Sequence, residues 1–150
     1  MLREDIQNAL KEAMKEKNML EVNAIRMIIA GQKEKDVDAR GKGKKQAEDA
    51  DLLAMMQTMI KQRRESIEMF VKGGRPELAE KEEAEIKIIE RFLPKQLSGE
   101  EMKAAIEAVI KETGASSVKD MGKVMGALRA KYAGQMDFGA ASGVIKSLLN

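Results

Sequence analysis

The chain has 150 residues, of which 35% are charged, 43% are hydrophobic and only 3% are aromatic. This balance predicts one domain or two small helical ones, and it argues against a sandwich or barrel of short strands. Cysteine and histidine are absent, which excludes disulfides, thiolate nucleophiles, zinc or haem sites built on these residues, and Ser-His catalysis. We therefore expect an all-α protein without a cofactor or a metal site.

The N-terminal segment and the hydropathy of the chain bear on its compartment. No apolar run reaches the 18 residues that suggest a membrane span, and charges interrupt residues 1–10, where a secretory signal needs an apolar stretch. These features predict a cytoplasmic protein without a membrane partner. The formal net charge is only +2, which is too small to indicate nucleic-acid binding without regard to its distribution.

Apolar residues at helical spacing predict the first two helices of the chain. The first helix runs to about Lys17, and the second fades near Arg40, where a basic loop of residues 40–45 begins. We expect this loop to be disordered and to supply steering charge at most. The second helix is apolar over more than half of its circumference and is expected to lie centrally, with a stripe of Leu20, Ala24, Met27, Ile28 and Gly31.

The third and fourth helices are predicted to form an antiparallel hairpin. The third ends at Gly73-Gly74, and Pro76 suits the first turn of the fourth, which stops before Pro94. Two long helices joined by so short a turn must pack side by side. Residues 1–93 therefore read as an N-terminal four-helix module with a long helix hairpin.

The segment that begins at Pro94 is the predicted domain boundary. Ser98 and Glu101 fit a capping box that opens a fifth helix, which Gly114 closes. Ser117 caps a sixth helix, and a short seventh follows. Residues 94–150 are thus predicted to be a smaller three-helix module, with eight basic and six acidic residues.

Charged residues interrupt the apolar stripes of the predicted hairpin. Arg63 lies in the stripe of the third helix and Glu82 in that of the fourth, and counting back from the turn places Arg63 opposite Glu85. Because a buried charge without a partner is costly, we expect a structural ion pair among these three residues. The alternative is a basic patch for RNA phosphates made of Lys61, Arg63 and Arg64.

The sixth helix breaks two local rules of helix formation. Lys119 and Lys123 lie near its N-terminus, where the helix dipole disfavours cations, and Gly122 and Gly126 lower helix propensity. One interpretation is that a neighbouring helix packs closely on the glycines while the lysines are ordinary surface. The other is that the glycines let a ligand's backbone approach while the lysines hold phosphates.

Two catalytic motifs in this region are incomplete. Gly122-Lys123 is not a phosphate-binding loop, because Ser117 and Val124 stand where the motif needs glycine and a hydroxyl residue. The serines and lysine of residues 116–119 lack a scaffold that forms an oxyanion hole. We therefore expect no catalytic residue in this chain.

The few aromatic residues indicate which kind of nucleic acid suits the chain. They are Phe70, Phe92, Tyr132 and Phe138, and their spacing places at least the first two in the core. A stacking platform for single strands is therefore not expected. A folded RNA that is recognised by shape and backbone suits such a surface better.

Five strings of the sequence together resemble the YqeY family, and the resemblance spans essentially the whole chain. They are IKQRRESI (60–67), KGGR (72–75), LAEKEEAE (78–85), LPKQL (93–97) and KDMGKVMG (119–126). This family is similar to the tail of the B subunit of aspartyl/glutamyl-tRNA amidotransferase (GatB), a helical appendage that contacts tRNA. The resemblance implies a tRNA-associated module and argues against autonomous carbon–nitrogen ligase activity with glutamine as amide donor.

The resemblance also ranks the residues expected to contact RNA. Lys119, Gly122 and Lys123 match the C-terminal motif of the family, and Arg129 and Lys131 supply flanking charge. On the hairpin motif the corresponding candidates are Lys61 and Arg64.

Two functions are therefore expected from the sequence. The first is a non-catalytic adaptor that binds structured RNA, above all tRNA. The alternative is a protein-interaction module that docks on an amidotransferase, a synthetase or a ribosome-associated partner. The alternative predicts an exposed apolar patch on the first two helices.

Overall fold

The computed structural model describes residues 2–149, which contain seven α-helices, one short 3₁₀ helix and no strand. The all-α prediction is confirmed. The elements are α1 (Leu2–Lys15), α2 (Met19–Gly41), α3 (Asp49–Lys72), α4 (Pro76–Glu90), α5 (Gly99–Thr113), the 3₁₀ turn (Val118–Asp120), α6 (Met121–Tyr132) and α7 (Phe138–Leu149). No helix within residues 2–149 combines the length and the apolar composition of a membrane span.

Helix packing divides the chain into two compact units, Met1–Pro94 and Lys95–Asn150. In the first unit, α2 contacts α1, α3 and α4, and α3 and α4 form the hairpin. In the second unit, α5, α6 and α7 all contact one another. Each unit encloses its own core of side chains that are almost fully buried, namely Ile6, Ile25, Ile28, Met56 and Ile89 in the first and Ile106, Val109, Val124, Leu128 and Ile145 in the second.

Three helices of the first unit end in the same hydrogen-bond pattern. After α2, the N–H of Lys44 donates to the carbonyl of Ala39 at 2.9 Å, and Gly43 adopts a φ of 84°. Gly74 adopts the same left-handed conformation after α3, and Lys17 adopts it after α1 with a φ of 55°. This pattern satisfies carbonyls that the helix leaves free. The basic loop, which the sequence predicts to be disordered, therefore begins with a hydrogen-bonded turn.

The buried face of α2 differs in part from the face that the sequence pattern predicts. Leu20 and Met27 were expected to face inward, but 37% and 50% of their surface is exposed. Ala24 and Ile28 of the predicted stripe are buried, together with Val22 and Ile25. A helix that is apolar around most of its circumference does not reveal by periodicity which side its neighbours cover.

An ion pair joins the start of α1, the last third of α2 and the segment that precedes α3. Arg3 Nη2 lies 2.6 Å from Asp36 Oδ1, and the N–H of Ala47 donates to the same oxygen at 2.9 Å. Arg3 also donates to the carbonyl of Ala47 at 2.7 Å. The hydrogen bonds and charge of Arg3, together with the N–H of Ala47, lower the pKa of Asp36 to about 2.

A second ion pair links the start of α2 to the residue that follows α4. Arg91, which follows the last turn of α4, pairs with Glu21 in the first turn of α2. The fourth helix ends at Glu90, three residues before the predicted end, because residues 91–93 form a turn.

Candidate nucleic-acid interface

The sixth helix begins with a 3₁₀ turn, which carries Lys119, and continues directly as α6, which carries Lys123. The carboxylate of Asp120 accepts the backbone N–H groups of Ser116 at 3.0 Å and Ser117 at 3.4 Å. These hydrogen bonds, that of Ser116 first, lower the pKa of Asp120, and the charge of Lys123 adds to the effect. The predicted helix between Ser117 and Tyr132 is therefore present, with its first turn in the 3₁₀ form; Lys119 lies on that turn and Lys123 on α6. Both side chains are exposed and make no ion pair with a described residue.

The glycines of α6 face open space. A Cβ atom added to Gly122 or Gly126 would meet no atom within 4 Å beyond its own helix backbone. The interpretation that a neighbouring helix packs on these glycines is therefore wrong. Helix α6 buries Val124 and Leu128 on its other side, so the glycines expose its backbone toward solvent.

Arg129 lies on the same side of α6 as the glycines, because residues three and seven positions apart fall near one line of a helix. Its guanidinium carbon is 5.9 Å from the centre of the Phe138 ring on α7, a distance at which a cation and an aromatic face attract. We call the surface formed by Gly122, Lys123, Gly126 and Arg129 the glycine face. The ring holds the guanidinium beside this face.

Lys131 is separated from the glycine face. It lies on the side of α6 that adjoins α5, where its ammonium pairs with Glu112. The hydrogen bond to Glu112 raises the pKa of Lys131, which keeps the lysine charged. Because Glu112 balances this charge, Lys131 is a weaker candidate for a phosphate contact than the sequence suggested.

The candidates of the first unit, Lys61 and Arg64, both lie exposed on α3. Arg64 pairs with Glu90 of α4 at 3.2 Å, with both side chains largely open to solvent. Lys61 makes no ion pair with any residue in the described part of the chain. Exposed pairs contribute little to stability, so Arg64 is free to exchange Glu90 for another anion.

Arg63 forms the ion pair that the interrupted stripes predicted. Its Nε lies 3.0 Å from Glu85 Oε2 and 3.9 Å from Glu82. Its Nη1 donates to the carbonyl of Met59 at 3.1 Å and its Nη2 to the sulfur of Met27 at 3.4 Å. Only 7% of Arg63 is exposed, and its contacts join α2, α3 and α4.

A groove between α2 and α3 was not predicted from the sequence. It has a volume of about 630 Å³, and Met27, Met55 and Met59 line its apolar part. A Cβ atom at Gly31 would lie 2.5 Å from the sulfur of Met55, so this glycine lets Met55 cross the backbone of α2. The glycine within an apolar helix was the one sequence signal of this close approach. Residues 2–149 contain no group of carboxylates placed to hold a metal ion.

Relatives of this chain carry the name "Altered inheritance of mitochondria protein 41, mitochondrial". The protein from Lachancea thermotolerans is 38% identical over 89 residues, which are 59% of this chain and 46% of the relative. Those from Candida glabrata and Eremothecium gossypii are 35% and 33% identical, each over 69% of this chain and over 57% and 56% of the relative. The chain thus spans about half the length of the curated relatives it matches.

These names contradict the expectation of a cytoplasmic protein. That expectation rested on the lack of an apolar secretory signal, which does not bear on mitochondrial targeting, because mitochondrial transit segments are amphipathic and basic. The sequence model described as "Yqey-like protein" matches residues 3–149, nearly the whole chain. The chain therefore belongs to the YqeY-like protein family.

Proposed function

We propose that this chain is a non-catalytic helical adaptor that binds structured RNA, with tRNA as the first candidate, through the glycine face and Lys119. The observation that carries the proposal is the exposed backbone at Gly122 and Gly126, beside two lysines without ion-pair partners in the described chain. Phosphate contacts from lysine and arginine supply most of the affinity of such interfaces.

The parts of this surface have complementary roles in the proposal. The flat strip at the two glycines admits a sugar–phosphate backbone close to the helix. Lys119 and Lys123 hold phosphates at one end of the strip, and Arg129 holds one at the other. Asp120 lies next to the lysines and repels phosphate on its own side, which helps to orient the RNA.

We expect the second unit to prefer folded RNA to single-stranded RNA because of the placement of its aromatic residues. Tyr132 and Phe138 are both half-buried, and Arg129 covers the ring of Phe138. Bases of a single strand stack on exposed aromatic faces, which neither residue offers. A folded RNA presents its backbone and 2′-hydroxyls to the glycine face instead.

A non-catalytic role is supported by the residue types of the chain. Without cysteine or histidine, thiolate nucleophiles and imidazole general bases are missing, and the serines and lysine of residues 116–119 lack a scaffold that forms an oxyanion hole. The resemblance to the tRNA-contacting tail of the amidotransferase B subunit favours RNA binding over ligase activity. Carbon–nitrogen ligase chemistry therefore has no set of residues to carry it in this proposal.

Fluorescence anisotropy of labelled bulk tRNA tests the proposal. Saturable binding is expected for the wild type at low and at physiological salt. The double variant Lys119→Glu/Lys123→Glu is expected to weaken binding about 10- to 100-fold, because it replaces two phosphate contacts with repulsion.

The matched control makes the same change of charge on α5. Lys103 and Lys111 are both exposed, so Lys103→Glu/Lys111→Glu alters the net charge equally but leaves the glycine face intact. Equal losses in the two double variants would reduce the effect to general charge attraction and refute the site. Binding that disappears at physiological salt for all proteins would refute RNA as the partner.

Exposed apolar side chains favour one second candidate, a protein-interaction module. Met14, Met19, Leu20 and Met27 of α1 and α2 are 37–59% exposed, and the alternative places its docking surface on these two helices. The partner would be an amidotransferase or a synthetase. Pull-down with the purified partner distinguishes this candidate, because Met19→Glu/Leu20→Glu would abolish capture and leave tRNA binding unchanged.

A further inference from the structure

One exposed methionine of the first unit differs from the others in what its sulfur contacts. Within residues 2–149, Met14, Met19, Met27 and Met69 are at least half exposed. Of these, Met27 has a sulfur that accepts a hydrogen bond, from Arg63 Nη2 at 3.4 Å. Met27 is thus half exposed to solvent, while its sulfur contacts a buried cation.

The guanidinium of Arg63 lacks strong acceptors on this side. An arginine carries five N–H groups, and Arg63 gives one to Glu85 and one to the carbonyl of Met59. On Nη2 the acceptor is the sulfur of Met27, and a thioether is a weak acceptor. A buried donor without a good acceptor destabilises the fold, so an oxygen placed here would be favourable.

We propose that Met27 is a site of reversible oxidation whose sulfoxide oxygen is held by Arg63. The oxidant is a peroxide. A lone pair of the Met27 sulfur attacks one peroxide oxygen, the O–O bond breaks, and with hydrogen peroxide the other oxygen leaves as water after proton transfer. The thioether is oxidised to a sulfoxide while the peroxide is reduced. A sulfoxide reductase returns the thioether: two thiols supply the electrons and form a disulfide, and the sulfoxide oxygen leaves as water.

The position of Arg63 gives this modification an unusual consequence. Methionine oxidation commonly disrupts packing, because it makes an apolar side chain polar. At Met27 the new oxygen lies beside Nη2 and accepts a charge-assisted hydrogen bond, which is stronger than the bond to sulfur. Oxidation therefore tightens the junction of α2, α3 and α4 and makes one end of the methionine-lined groove polar.

The test compares two variants that each retain one of the exposed methionines. The first carries Met14→Leu, Met19→Leu and Met69→Leu and keeps Met27; the second carries Met14→Leu, Met19→Leu and Met27→Leu and keeps Met69. Each is treated with hydrogen peroxide until peptide masses show oxidation of the retained residue with the buried methionines unmodified. Hydrogen–deuterium exchange of α3 peptides is then measured before and after treatment.

Oxidation of Met27 is expected to slow exchange in α3 about three- to fivefold, and methionine sulfoxide reductase is expected to restore the original rate. Oxidation of Met69, which is 73% exposed, is expected to leave exchange near Arg63 unchanged. If Met27 resists peroxide while Met69 reacts, the site is refuted. If Met27 reacts and exchange in α3 is unchanged or faster, capture by Arg63 is refuted.

Discussion

The carboxylate of Asp36 holds together three separate parts of the first unit. It pairs with Arg3 of α1 and accepts the N–H of Ala47, just before α3. Its pKa is about 2 in the folded protein and about 3.9 in an unfolded chain. Because the folded pKa is the lower one, this group stabilises the fold above about pH 4 and loses its contribution as the pH falls toward 2.

Asp36→Asn is expected to lower the free energy of unfolding by roughly 2 kcal/mol at pH 7. The difference from wild type should shrink between pH 4 and pH 2, because wild-type Asp36 becomes protonated there. Urea denaturation at pH 7, 4 and 2.5 measures this. Asp38→Asn, at an exposed neighbour without an ion pair in the described chain, is the control and should have little effect. If Asp36→Asn lowers the free energy of unfolding by the same amount at every pH, the stabilisation does not come from the lowered pKa of Asp36.

Arg63 and Asp36 show what sequence reasoning finds at the scale of residues. The partner of Arg63 was predictable, because both residues interrupt stripes on helices joined by a short turn, from which register can be counted. Asp36 is 33 residues from Arg3 along the chain, and neither residue interrupts an apolar stripe, so the sequence pattern did not pair them. The contact of Arg63 with Met27 was missed because the loop between α2 and α3 fixes no register.

Helix α6 keeps two glycines that its packing does not require. Gly126→Ala is expected to raise the free energy of unfolding by about 0.5–1 kcal/mol, because the methyl group improves helix propensity and meets no neighbour. The same methyl group lifts a ligand off the backbone, so tRNA binding should weaken. Circular dichroism during urea unfolding and anisotropy measure the two effects.

Gly143 of α7 supplies the matched control. It is exposed, and a Cβ atom there also meets no atom within 4 Å. Gly143→Ala should stabilise the protein by a similar amount and leave tRNA binding unchanged. If both variants bind tRNA more weakly, the loss of affinity does not arise at the glycine face. If Gly126→Ala binds tRNA as well as the wild type, Gly126 is not part of the site.

The ends of the elements were predictable where local chemistry sets them. The capping box of Ser98 and Glu101 and the left-handed Gly114 define α5 as expected. The 3₁₀ turn was not predicted, because Ser117 and Asp120 fit the start of an α-helix equally well. Lys17 adopts a conformation that glycine favours, so no residue type marked it.

At the scale of the whole molecule, the two cores lead to a prediction about folding. The fragments 1–94 and 95–150 are each expected to fold alone, because each contains a continuous set of buried apolar side chains. Their circular dichroism spectra, weighted by length, should sum to that of the intact chain. A fragment with the spectrum of a random coil would show that its unit depends on the other.

Family membership was predictable at this scale because the matching strings extend along the whole chain, and the family match covers residues 3–149. The compartment was not predictable in the same way, because it depends on targeting signals, which the packing of a helical core does not reveal. The placement of the RNA contacts remains a prediction, to which the open glycines of α6 give a defined geometry.

The ion pair of Glu21 and Arg91 closes the first unit across 70 residues of sequence, and this separation has a consequence during translation. Helices α1 and α2 leave the ribosome before Ile86 and Ile89 of α4 arrive to cover them. At about 5–20 residues per second, the 70 residues between Glu21 and Arg91 correspond to a delay of roughly 4–14 s. During that interval the apolar side of α2 is available to chaperones.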